Sequence, residues 1–149
     1  MYDFSDSYRE LINHCENEIT ILSNSSAFFN MMLADVSWVG FYLYQKNELI
    51  LGPFQGKVAC TNIEMGKGVC GTCAAQHKTL IVKDVHAFPG HIACDASSNS
   101  EIVIPILIEN ELYGVFDIDS TSFNRFYEEE AKLLEKCINI LADKLKTLR

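Results

Sequence analysis

Basic residues are scarce: 12 Lys and Arg stand against 20 Asp and Glu in 149 residues, a net charge of −8. Such a balance repels phosphate backbones and anionic lipid headgroups, which argues against nucleic acid and membrane surfaces as partners. No apolar run approaches the roughly 20 residues that a membrane-spanning helix needs. No basic-then-apolar leader opens the chain, so the expectation is a cytoplasmic protein. Proline numbers 3 and glycine 8, and no linker, internal repeat or low-complexity tract interrupts the sequence. One domain over residues 1–149 is expected. Gly66-Lys67-Gly68 lacks the Gly-Lys-Ser/Thr ending of a phosphate loop. Cys70-Gly71-Thr72-Cys73 lacks the second close pair of a four-cysteine zinc site and the βαβ setting of a thioredoxin-like dithiol. Neither a metal nor a cofactor is therefore expected.

Cysteine is what the chain has in excess: Cys15, Cys60, Cys70, Cys73, Cys94 and Cys137. Without a secretory leader, a structural disulfide framework is not expected, which leaves redox chemistry or burial. Cys15 and Cys137 fall on helical apolar stripes and read as core. Cys73 reads as buried too. Cys94 differs. It lies in a loop-like region, about 83–100, just past the turn forced by Pro89-Gly90, with His91 three residues upstream. Its residue type and position suit a nucleophile or a thiol tucked beneath its own turn. His91 is a candidate to pair with its thiolate.

Hydrophobic periodicity gives the scaffold. Residues from about 5 to 33 read as helical, with Tyr8, Leu11, Ile12, Cys15, Ile19 and Leu22 on one face and a break at Ser23-Asn24-Ser25-Ser26. Residues 36–44 and 48–52 form a hairpin that Pro53 ends, and 57–60 suggests a third strand. A helix over 69–77 follows, then a short strand at 80–82. Strands over 101–108 and 112–119 are joined by Glu109-Asn110-Glu111, and Pro105 requires a bulge or an edge. A final helix runs from about 124, with Leu134, Cys137, Leu141, Leu145 and Leu148 on its stripe. Short connections imply a mostly antiparallel sheet. The fold class is α+β, with terminal helices on one face and a helix-and-loop layer forming a pocket on the other.

Asp117 and Asp119, two apart on a strand, point the same way. Tyr113 and Val115 share their side in this reading, which suggests partial cover, although water is the other option near a strand end. A half-buried carboxylate pair raises at least one pKa, and Glu101 on the neighbouring strand can join it. Trp38, the single tryptophan, suits the core or a pocket wall. Free amides at the start of the 69–77 helix can hold a carboxylate.

Taken in order, Trp38-Val39-Gly40-Phe41-Tyr42, Leu51 to Gly56, Ala59-Cys60, Gly66 to Gly71, Asp84-Val85, Phe88 to Asp95, Ser98-x-Ser100-Glu101-Ile102-Val103-x-Pro105 and Gly114-Val115-x-Asp117-Ile118-Asp119-Ser120 closely resemble the free methionine-(R)-sulfoxide reductases, single GAF-domain enzymes. The resemblance runs from about residue 38 to 126. It implies that Cys94 is catalytic, that Cys60 forms a disulfide with it and that Cys70 takes part in resolution. It implies that Glu101, Asp117 and Asp119 bind substrate and assist the chemistry; on physical grounds a carboxyl of raised pKa protonates the leaving oxygen, with Asp119 the favoured donor and Glu101 next. Trp38 becomes an active-site aromatic that packs on the S-methyl group, and the amides of Gly68, Val69 and Cys70 take the substrate carboxylate. Thioredoxin is the implied reductant, and a homodimer is common in the family. A GAF module that binds a small ligand without turnover, and a thiol redox sensor, are the alternatives. The first needs no trio of mid-chain thiols, and the second needs no acidic pocket.

Overall fold

The computed structural model describes residues 1–91, 94 and 96–149. Ile92, Ala93 and Asp95, part of the loop motif above, lie outside the described residues. The elements are α1 (Ser5–Asn13), α2 (Glu18–Met32), β1 (Trp38–Gln45), β2 (Glu48–Gln55), β3 (Asn62–Glu64), α3 (Gly68–Gln76), β4 (Leu80–Val82), β5 (Ser100–Ile108), β6 (Glu111–Ser120) and α4 (Glu128–Lys146), with a 3-10 turn at Val85–Ala87. The sheet order is β3-β2-β1-β6-β5-β4, and every pairing is antiparallel.

Two hairpins build the centre of the sheet. Lys46 and Asn47 carry φ of 49° and 65°, and Glu109 and Asn110 carry 52° and 67°. Two-residue turns with both φ positive match the twist of the strands they join, and asparagine tolerates that region well. Alternation along the strands then sorts side chains to two faces. Val39, Phe41, Ile102, Ile104, Ile106, Phe116 and Ile118 pack against α1, α2 and α4. Phe29 of α2 meets Phe116 at 4.9 Å between ring centroids, and Phe41 stacks on Phe116 at 5.1 Å. On the other face Trp38, Tyr42, Val103 and Val115 pack against Val69, Cys73 and Ala74 of α3 and against Val82 and Val85. The α+β sandwich with a helix-and-loop layer over one face is the architecture expected.

Several local expectations change. Ser23–Ser26 is not a break; α2 runs straight through it. Its serines find tertiary partners that solvent would otherwise supply: Tyr8 Oη and Ser25 Oγ lie 2.7 Å apart, while Ser26 Oγ donates to Leu22 O and Pro53 O. The break falls earlier, where the Asn17 side chain accepts from Thr20 N and caps α2. Cys15 therefore sits in a turn, half-buried, and Ile19 is 69% exposed rather than on the buried stripe. Cys137 is fully buried on α4, as expected.

Pro53 does not end β2. Gly40 pairs with Phe54 and Tyr42 with Leu51, so β2 holds one extra residue there and passes through the proline at a bulge. The third strand is residues 62–64, paired to Glu48–Ile50, not 57–60. A second bulge alters β6. Ile106 pairs with Gly114 and Leu107 with Leu112, leaving Tyr113 as the extra residue. It turns to the terminal-helix face, and Leu112 turns to the pocket face. Tyr113 thus does not share a side with Asp117 and Asp119. Pro105 stands past the last pairing of β4, Leu80 with Val103, where the outer side of β5 is an edge.

Candidate active site

The cross-strand register assembles the acids. Asp119 of β6 pairs with Trp38 of β1 on one side and Glu101 of β5 on the other. One row deeper, Asp117 pairs with Gly40 and Val103. Side chains at these positions leave the sheet on the α3 face. Gly40 is required there: a Cβ would collide with Phe54 and the Trp38 ring. Its absence lets the indole lie flat on Phe54, 5.1 Å away with 15° between planes.

The opposite wall comes from α3 and its approach. Gly66 and Gly68 adopt φ of 81° and 62°, a tight entry that brings Gly68, Val69 and Cys70 to the pocket. The first helical amides have no intrahelical acceptor and carry the positive end of the helix dipole. Lys67 is the N-cap of α3, makes no side-chain capping bond, and is part of the pocket lining. The pocket is bounded by Trp38, Tyr42, Lys67, Gly68, Val69, Cys70, His91, Cys94, Ser98, Glu101, Asp117 and Asp119, with Val58, Ala59 and Ile63 completing it. Of the residues expected to form a site, Trp38, Gly68, Val69, Cys70, Cys94, Glu101, Asp117 and Asp119 line this one cavity, while Cys60 is outside the lining and joins it through Cys94. Cys73 is buried and outside the lining, consistent with a core role.

Cys94 is joined to Cys60 by a disulfide, with 5.5 Å between their Cα atoms. Both are half-buried. Cys15, Cys70, Cys73 and Cys137 are free thiols. Cys70 Sγ donates to Glu101 Oε2 at 3.8 Å. Donor atoms of Cys70, Glu101 and Asp117 all lie within 4.8 Å of one another. Among the described residues this is the one buried set able to offer three atoms to a cation. Asp117 Oδ1 and Ser98 Oγ are buried without a hydrogen-bond partner among the described residues. Leaving such groups unpaired is costly, so both are open positions for a ligand.

Burial sets the protonation. Desolvation, then the charges of Asp117 and Asp119, push the Glu101 carboxyl well above the usual carboxylate range. Desolvation also raises Asp117, while hydrogen bonds from Glu101 and Cys70 oppose that rise. The two acids therefore titrate together, with the proton favoured on Glu101. The Cys70 thiol is pushed far up by burial and by the surrounding acids, so it stays protonated. His91 is lowered by burial and by His86, whose ring lies 6.1 Å away. It is neutral at pH 7, and it and Cys94 line the same cavity.

Two contributors, Ser98 and Tyr42, escaped the sequence reading. Ser98 gave no signal beyond its place in a motif. Tyr42 and Trp38 use their polar tips on the loop before β3: Trp38 Nε1 donates to Lys57 O at 3.1 Å, and Tyr42 Oη donates to Cys60 O at 2.9 Å. Those bonds replace the ladder that a strand over 57–60 would have supplied.

The GAF domain family matches residues 26–145. The chain is 45% identical over 145 residues to the free methionine-R-sulfoxide reductase of Escherichia coli, covering 97% of this chain and 88% of that one. It superposes on fRMsr of Staphylococcus aureus in complex with substrate with a TM-score of 0.91, at 47% identity over 95% of this chain and 93% of that chain. Against free methionine-R-sulfoxide reductase of Neisseria meningitidis in complex with its substrate the TM-score is 0.94, at 37% identity, covering 97% and 87% of the two chains.

Proposed function

The chain belongs to the free methionine-R-sulfoxide reductases, oxidoreductases built on a GAF domain, and on that footing we propose that it reduces free L-methionine (R)-S-oxide through sulfenic acid and disulfide chemistry at Cys94. The observation that carries the proposal is the Cys60–Cys94 disulfide placed beside a buried acid cluster. A pocket meant only to hold a ligand needs no paired thiols, and a redox sensor needs no buried carboxyls.

The substrate is a zwitterion with a polar S=O group. Its ammonium fits the cluster of Asp117, Asp119 and Glu101, where Asp117 Oδ1 has no hydrogen-bond partner among the described residues. Its carboxylate fits the amides of Gly68, Val69 and Cys70 with Lys67 beside them. Trp38 packs on the S-methyl group, and Ser98 Oγ donates to the sulfoxide oxygen. The Cys94 thiolate attacks the sulfoxide sulfur while a carboxyl protonates the oxygen. Glu101, held protonated by burial, is the stronger candidate for that proton, with Asp119 binding beside it. The oxygen then passes from the substrate sulfur to the Cys94 sulfur: the substrate S–O bond breaks, the substrate sulfur gains two electrons and leaves as methionine, and Cys94 loses two and becomes a sulfenic acid. The Cys60 thiol then attacks the Cys94 sulfur and gives its proton to the departing oxygen. The S–S bond forms, the S–O bond breaks and water departs.

An outside dithiol, thioredoxin in this reading, exchanges with the half-exposed disulfide and restores both thiols. Cys70 remains protonated and in reserve, able to exchange with the pair. Four free thiols suit a reducing compartment, so we place the enzyme in the cytoplasm, as one GAF unit over residues 1–149. Among the described residues no helix is long and apolar enough to cross a membrane.

The test is an NADPH-coupled thioredoxin assay on both epimers of free methionine sulfoxide and on a peptide-bound sulfoxide. Turnover of the free R epimer alone, abolished by Cys94→Ser, is expected. Equal turnover of a peptide-bound sulfoxide, or activity that survives Cys94→Ser, overturns the proposal.

A further inference from the structure

The segment that carries Cys60 is not a strand and has little cover: Val58, two residues before it, is 89% exposed. Gly56, at φ 137°, precedes it. Beyond it, the next backbone anchor to the sheet is Leu51 N donating to Thr61 O at 2.9 Å. Between those points the segment is fastened from below by two side chains of β1. Trp38 Nε1 donates to Lys57 O, and Tyr42 Oη donates to the carbonyl of Cys60 itself. Trp38 and Tyr42 are four apart on one strand and therefore share a face. Their rings stack at 5.9 Å with 21° between planes, and Trp38 stacks in turn on Phe54. Both are almost wholly buried, at 3% and 2% exposure. The donors therefore sit on rigid rings, while the acceptors sit on a loop.

This arrangement bears on the second half of the proposed cycle, on which the inference rests. Closing a sulfenic acid requires the second sulfur to approach behind the S–O bond, within bonding reach. For that, the Cα atoms of residues 60 and 94 must come to about the 5.5 Å they show here. A loop free to swing meets that condition for a smaller fraction of the time. We infer that Tyr42 is a positioning residue for the resolving step: its hydroxyl, bonded to the carbonyl of Cys60, holds that cysteine where it can close onto the Cys94 sulfenic acid. In the step itself the Cys60 sulfur bonds to the Cys94 sulfur, the S–O bond breaks, and the oxygen leaves as water with the proton from the Cys60 thiol. Tyr42 neither gains nor loses a proton. Burial raises its phenol far above the working range, so it is a permanent donor.

Tyr42→Phe tests this, because it removes the hydroxyl and keeps the ring that stacks on Trp38. Fully reduced protein is mixed with one equivalent of free methionine (R)-sulfoxide, quenched at intervals with a 1,3-diketone that traps sulfenic acids, and read by intact mass. Tyr42 also lines the pocket, so the readout is the partition between trapped adduct and disulfide rather than the rate of the first step. One lost hydrogen bond should slow closure about 2–12-fold, so Tyr42→Phe should show a Cys94 adduct that wild type closes before trapping. Disulfide closure as fast as in wild type overturns the inference. So does a variant that forms less methionine with an unchanged partition, since the phenol would then act on substrate. Cys60→Ser sets the ceiling of trapped adduct. If it gives neither methionine nor adduct, the sulfenic acid chemistry itself fails, and that outcome is distinct from a failure of Tyr42.

Discussion

Glu101→Gln should slow the enzyme and steady the fold, and the two effects have one cause. Glu101 is 7% exposed and faces Asp117 and Asp119. Desolvation and those like charges raise its pKa well above the ordinary 4.5. Glutamine keeps the shape and the hydrogen-bonding capacity but has no proton to give. Loss of a general acid costs about 10²- to 10⁴-fold in rate, which at 1.36 kcal/mol per decade is about 2.7–5.4 kcal/mol of barrier.

The stability change has the opposite sign. In wild type the folded chain holds the Glu101 proton more tightly than the unfolded chain does. Its contribution is therefore fully present below about pH 4.5 and is lost as pH rises through the folded pKa. Glutamine suffers no such loss. The variant should melt higher than wild type at pH 8, and the gap should shrink as pH falls toward 4.5. Rapid-quench measurement of methionine release from reduced enzyme gives the rate. Thermal unfolding of the disulfide form at several pH values gives the stability. A variant that releases methionine within threefold of wild type, or whose melting gap does not grow with pH, refutes the assignment of the proton to Glu101.

Other consequences are simpler. Cys60→Ser should release close to one equivalent of methionine and then stall under thioredoxin recycling, a burst without turnover in the coupled assay; sustained turnover would give the resolving role to Cys70. Ser98→Ala removes a buried hydroxyl that has no hydrogen-bond partner among the described residues; KM for the free sulfoxide should rise about 2–12-fold, the worth of one hydrogen bond, with little change in melting temperature. Tyr8→Phe leaves Ser25 Oγ, 2.7 Å from the lost hydroxyl, buried without that partner. Chemical denaturation should show a loss of about 1–3 kcal/mol at unaltered kcat.

Much of the site was legible because it rests on short-range rules. A spacing of two puts Asp117 and Asp119 on one face, alternation puts Trp38 with them, and the Pro-Gly loop brings Cys94 to the rim. The joining of Cys60 to Cys94 was implied by resemblance rather than by periodicity, and the disulfide is present. What escaped depends on partners distant in sequence. Four consecutive polar residues, Ser23 to Ser26, look like a break until Tyr8 and Pro53 are brought beside two of them. The Lys57–Cys60 backbone looks like a strand because nothing local reveals that Trp38 and Tyr42 take its carbonyls. The bulge at Tyr113 leaves no local mark either, and it reverses two side chains while sparing Val115 and the acids beyond it.

The pairing of Trp38, Asp119 and Glu101 across three strands also constrains how this gene can change length. Deleting one codon between Gly114 and Asp119 would slide an aspartate into the aliphatic layer and bring Phe116 or Ile118 into the cavity. The turns at Lys46-Asn47 and Glu109-Asn110 lie at the far end of the same strands, where inserted codons would lengthen a tip and leave the reacting end in step. Tags, reporters and natural insertions should be tolerated at those two tips and rejected from the strands that feed the chemistry.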